Sequence, residues 1–182
     1  MHRILSLNLL SLAVSGALAA ATAAQPVSGA GRSSVRETDH LTIELSTRRT
    51  AAAPGDRVSL LVDVAPKPRM HVYAPEQKDY IPVALTLDAS AAFRTHPPVF
   101  PRAERFFFKP LNETQLVYTK PFRIVQDITL SSKPPGPDRA QQPGGVTITG
   151  TLRYQACDDV ICYMPRDVRL EWLVQSTSSA RR

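Results

Sequence analysis

The sequence predicts an all-β fold, a single antiparallel β-sandwich domain, and three observations carry that expectation. Apolar residues recur with a period of two in several short segments. No stretch beyond the N-terminal leader shows a capped 3.6-residue periodicity. Proline fills 16 of 182 positions, about 9% against a usual value of roughly 5%, and each proline removes a backbone donor and clashes inside a helix. A hydrophobic fraction of 43% with 21% charged residues is ordinary for a globular chain and excludes wholesale disorder.

Residues 1–24 read as a signal peptide rather than as part of the fold. Arg3 supplies the early positive charge, Ile4 to Leu18 is rich in Leu and Ala, and Ala21-Thr22-Ala23 has the small-x-small form of a cleavage site. No cysteine follows for a lipid anchor, and no second apolar run reaches spanning length. The expectation is a soluble, exported, periplasmic protein with no stable membrane insertion after cleavage. Residues 25–39 then read as a linker, 40–174 as the domain and 175–182 as a frayed tail.

The strands follow in order. Leu41, Ile43 and Leu45 alternate with Thr42 and Glu44, and Val58, Leu60, Val62 and Val64 follow the turn signal Pro54-Gly55-Asp56. Val83, Leu85 and Leu87 repeat the pattern. Phe122, Ile124, Ile128 and Leu130 share one parity, interrupted by Gln126. Ile148, Leu152, Tyr154 and Ala156 make another strand, and Val168, Leu170, Trp172 and Val174 the last. Two long connections remain: the turn-rich Ser131–Gly145, expected to be mobile, and Pro97–Gln115, which holds Phe106-Phe107-Phe108.

The formal charge is +6 and the pI about 9.7. Removing the leader takes only Arg3, leaving 21 basic against 16 acidic residues, or +5. The basic residues are scattered in short groups, and the chain is exported, so a solvated surface is expected and nucleic acid is not a partner.

Chemistry concentrates in Tyr154-Gln155-Ala156-Cys157-Asp158-Asp159-Val160-Ile161-Cys162-Tyr163-Met164-Pro165. Five extended steps span roughly 17 Å, whereas a disulfide needs Cα atoms within about 7 Å, so pairing Cys157 with Cys162 requires a chain reversal. Asp158 and Asp159 are turn-prone residues at that point. Parity with Thr151, Arg153 and Gln155 places Cys157 on the polar side of its strand, with an accessible thiol. A six-residue ring is worth only about 2 kcal/mol of loop-closure entropy. Two readings stay open on this basis: a structural staple, and a locally closed pair made for exchange.

The run Y-Q-A-C-D-D-x-x-C-Y-x-P, together with His71-Val72-Tyr73-Ala74-Pro75, resembles the N-terminal periplasmic domain of the thiol:disulfide interchange protein DsbD over roughly residues 40–174. The resemblance implies an immunoglobulin-like sandwich with one redox-active pair, Cys157 and Cys162, of protein-disulfide reductase type. It implies that electrons pass between thioredoxin-like proteins, including those of disulfide isomerisation and cytochrome c maturation. An aromatic loop caps the pair in that family, and Phe106 or Phe107 matches the cap, with His71 and Tyr73 lining the pocket. Tyr154, Asp158, Asp159 and Tyr163 are the motif neighbours. The second cysteine, Cys162, is the one implied to bond partners, and the adjacent carboxylates would disfavour a thiolate at Cys157. Two departures stand out: this chain has one residue fewer between its cysteines than the family's best-studied form, and the given sequence holds neither the membrane electron carrier nor the C-terminal thioredoxin domain, so the expectation is either a separate membrane thiol carrier as donor or a changed role.

No cofactor or metal is expected. His71 with two cysteines is a poor ligand set for copper or zinc, and His40 and His96 read as surface residues. Hydrolase and phosphate-loop motifs do not occur. The alternative function is a non-catalytic immunoglobulin-like module that binds an envelope partner and keeps Cys157–Cys162 as a permanent bridge.

Overall fold

A computed structural model describes residues 34–132, 141–142 and 144–177. The signal peptide, most of the Ser131–Gly145 connection and the end of the tail lie outside the described residues. Fourteen strands make up three sheets among those described. They are β1 (Ser34–Glu37), β2 (Leu41–Thr47), β3 (Ala51–Ala52), β4 (Arg57–Pro66), β5 (His71–Tyr73), β6 (Ala84–Leu87) and β7 (Phe93–Thr95). The second half holds β8 (Glu104–Phe108), β9 (Glu113–Tyr118), β10 (Phe122–Leu130), β11 (Gln141–Gln142), β12 (Gly145–Tyr154), β13 (Ala156–Cys157) and β14 (Arg166–Ser176).

Two five-stranded sheets form the sandwich. One runs β1-β2-β4-β10-β7; the other is built on β12 and β14, with β3, β6 and β11 at its edges. Neighbouring strands are antiparallel except β14 with β3. The alternating residues meet between the layers, with Ile43, Leu60, Val62 and Ile124 facing Ile148, Leu152, Leu170 and Trp172 in one buried cluster. The turn at Pro54-Gly55-Asp56 forms as expected: Gly55 takes φ 89°, which glycine reaches without a Cβ clash, and Asp56 Oδ2 accepts from Ala53 N at 2.9 Å. Gln126 does not break the core. It points inward, 2% exposed, and its Nε2 donates to the carbonyl of His96.

Four sequence expectations change. Residues 34–37 of the expected linker form β1, paired with Leu45–Thr42, because Thr38 closes a turn by accepting from Leu41 N at 2.8 Å. The expected tail begins inside β14, where Gln175 N donates to Thr50 O. Pro97–Gln115 is not wholly a loop but holds β8, whose hairpin to β9 turns at a short 3-10 segment and Asn112 with φ 52°. His40 is buried rather than on the surface, packed on Tyr163 with ring centroids 4.5 Å apart.

The third sheet, β13-β5-β9-β8, supports the cysteines. Its two faces have different partners. Val72, Tyr118 and Ala156 point into the sandwich core, while Tyr73, Val117 and Cys157 form a second buried cluster on the opposite face.

Candidate functional site

The strand carrying the first cysteine changes sheets just before it. After Tyr154 the chain leaves β12, and Ala156–Cys157 pairs with β5 instead, Ala156 opposite Val72 and Cys157 opposite His71. Gln155 stabilises the step by accepting from Ile81 N and donating Nε2–H to Tyr163 O at 3.1 Å. This step overturns the expected polar, reachable Cys157. The parity of β12 does not carry across Gln155, and Cys157 is buried at 1% exposure. Its partner Cys162 is exposed.

Cys157 and Cys162 form a disulfide with Cα atoms 4.0 Å apart. The required reversal is a tight turn in which Asp158 N donates to Ile161 O at 2.9 Å. The Asp158 carboxylate secures it from within, accepting from Val160 N at 2.7 Å, Ile161 N at 2.8 Å and the Tyr163 hydroxyl at 2.8 Å. Those donors hold its carboxyl below the usual aspartate range. Asp158 therefore builds the turn. Beyond it, Val160, Ile161 and Met164 stand out at 78%, 52% and 80% exposure around Cys162.

Register decides what covers the sulfurs. His71 and Tyr73 leave one face of β5 two residues apart, Cys157 lies opposite His71, and Val117 lies opposite Tyr73. Phe106 pairs with Gln115 and so joins that face from β8, whereas Phe107 is on the other side and 53% exposed. Phe106 packs against the Tyr73–Val117–Cys157 cluster and lies 4.9 Å from the His71 ring. Of the two expected cap residues, the structure brings Phe106 to the site and turns Phe107 away.

Tyr73 is fully buried, and its hydroxyl lies 3.3 Å from both Cys157 Sγ and Cys162 Sγ. Neither sulfur of a disulfide carries a proton, so the hydroxyl is the only donor in that contact. Burial, reinforced by Tyr80 and Glu113, pushes the phenol well above its usual value and keeps it a proton donor. Tyr80 stacks on Tyr73 at 4.3 Å and donates to Glu113 Oε1, which also accepts from Gln115 Nε2 at 2.6 Å. Tyr80, Glu113 and Gln115 were not singled out from sequence. Reading Glu113–Tyr118 as a strand opposite the three phenylalanines would have found two of them. Asp159 follows the turn residue and Tyr154 lies under the main core, its hydroxyl donating to Thr38 Oγ1 at 3.0 Å. Tyr154 packs in the main core and not in the Tyr73–Val117–Cys157 cluster. No group of three or more metal-binding side chains occurs among the described residues.

The side sheet of this sandwich therefore presents one local disulfide, with Cys157 buried and Cys162 exposed. The chain matches the family described as "Thiol:disulfide interchange protein DsbD, N-terminal" over residues 41–172 and belongs to it. Members of that family exchange electrons with thioredoxin-like partners. Among solved structures, the N-terminal periplasmic domain of ScsB from Proteus mirabilis aligns with a TM-score of 0.52 at 15% identity, over 80% of this chain and 51% of that one. The chain thus spans about half of that structure. The reduced DsbD N-terminal domain of Neisseria meningitidis aligns at 18% identity and TM-score 0.46, over 75% of this chain and 86% of that one. No curated protein sequence matches. No described helix is long and apolar enough to cross a membrane.

Proposed function

We propose that the protein is a periplasmic exchange protein that passes reducing equivalents between thioredoxin-like partners through Cys157–Cys162, drawing them from a membrane thiol carrier. The observation that carries this reading is the unequal exposure of the two cysteine residues, with Cys162 exposed amid Val160, Ile161 and Met164 and Cys157 buried against Tyr73. A donor thiolate attacks Cys162 Sγ, the disulfide breaks, and the electron pair leaves on Cys157 Sγ toward the Tyr73 hydroxyl. The donor's second thiolate then displaces Cys162, leaving the pair reduced and the donor oxidised. An acceptor disulfide reverses both steps. Phe106 serves as the cap over the buried sulfur.

Trapping tests this. Cys157→Ala is expected to accumulate a mixed disulfide with a thioredoxin-like domain, and Cys162→Ala is expected not to. Trapping by neither variant favours the structural bridge, for which the burial of Cys157 is the supporting observation.

A further inference from the structure

His71 is a buried titratable group that the exchange steps above leave unused. It is 3% exposed, and its Nε2 has no hydrogen-bond partner among the described residues. Native folds keep few such atoms, because removing a polar nitrogen from water without a partner is costly. The pairing of β5 with β13 sets His71 directly across from Cys157, which puts their Cβ atoms about 5 Å apart on one face. Phe106 packs on the ring from one side and Tyr73 meets it edge-on at 5.9 Å, so the imidazole is held beside the buried sulfur. In the disulfide, Cys157 has no S–H to offer this nitrogen. Reduction creates one.

We propose that His71, through Nε2, is the proton acceptor for the Cys157 thiol when Cys157 resolves a mixed disulfide at Cys162; this rests on the exchange reading above. In that step the Cys157 S–H proton passes to Nε2 and the Cys157 Sγ pair forms the bond to Cys162 Sγ. The bond from Cys162 to the partner sulfur breaks, and that sulfur leaves as a thiolate. The imidazolium then gives that proton up to water, which returns the ring to its neutral form. Burial keeps the ring neutral in the resting state, against the opposing pull of Asp159 and Asp158 on the turn, and a neutral ring can accept. From the neighbouring strands, β8 brings Phe106 and Glu104 to this face, β9 brings Val117, Gln115 and Glu113, and β5 the protonated phenol of Tyr73; the carboxylates that act on the ring itself are Asp159 and Asp158.

The test mixes the reduced full chain with excess oxidised glutathione and follows the glutathionyl intermediate by acid quench and mass spectrometry from pH 5.5 to 9. His71→Gln and His71→Phe are expected to lengthen its lifetime at pH 7 by about tenfold or more, with the difference closing at high pH where the thiol ionises unaided. Equal lifetimes and equal pH profiles in His71→Gln overturn the proposal. Should the variants fail to fold, the unsubstituted protein still decides: the His71 ring resonances are expected to titrate differently in the oxidised and reduced forms, and identical titration overturns it. No thioredoxin-like partner enters either assay. A failed relay and an inert His71 therefore give separate results.

Discussion

Side-chain direction at single residues separates the parts of this site. Phe106 and Phe107 are adjacent and identical, yet pairing with Gln115 and Thr114 sends them to opposite faces of the hairpin. Phe106→Ala is expected to speed alkylation or reduction of the Cys157–Cys162 pair severalfold, and Phe107→Ala to leave it unchanged; equal effects would remove the cap role. His40 and His71 make a second residue-scale case. Burial is the largest influence on each and holds both imidazoles below their usual value near 6.5. The unfolded chain therefore binds protons that the native state refuses, so stability rises with pH through the window below about 6.5 and is lost on acidification. The urea midpoint of the oxidised protein is expected to be lower at pH 5.5 than at 7.5. A midpoint that holds or rises at pH 5.5 would contradict this.

Among the elements, period-two patterning located the long strands because each has one face in a continuous core. The strands β2, β4, β10, β12 and β14 were legible for that reason. The short strands of the side sheet were not. β5 and β13 have three and two residues, too few to show a period, and β8 carries Phe106, Phe107 and Phe108 consecutively. The change of sheet at Gln155 is likewise invisible to periodicity, since it is made by side-chain bonds to Ile81 and Tyr163. That change put Cys157 in the opposite environment from the expected one. Gly150 tests how closely the elements pack. A Cβ there would lie 2.6 Å from the Thr86 carbonyl oxygen and 2.9 Å from a Leu87 methyl, so Gly150→Ala must displace β6 from β12. The expected cost is about 1–3 kcal/mol, read as a lower urea midpoint; an unchanged midpoint would show that β6 is loosely held.

For the molecule as a whole, the sandwich and the cysteine pair are separable. The core between the two large sheets contains neither cysteine: Cys157 sits in a separate cluster with Tyr73 and Val117, and Cys162 is exposed. A six-residue ring contributes only about 2 kcal/mol by loop closure, so opening it should leave the fold standing. That separation is what an exchange domain needs, because its disulfide must open and close many times on an unchanged scaffold. The sequence made the motif and the pair legible; which cysteine is buried required the third sheet. The central claim, that this bond is made to be opened, is tested most directly by its reduction potential. Equilibrating the full protein with glutathione or dithiothreitol buffers is expected to give a value between about −230 and −120 mV, in the range of exchange proteins, whereas a value below about −300 mV would mark a structural disulfide and contradict the account.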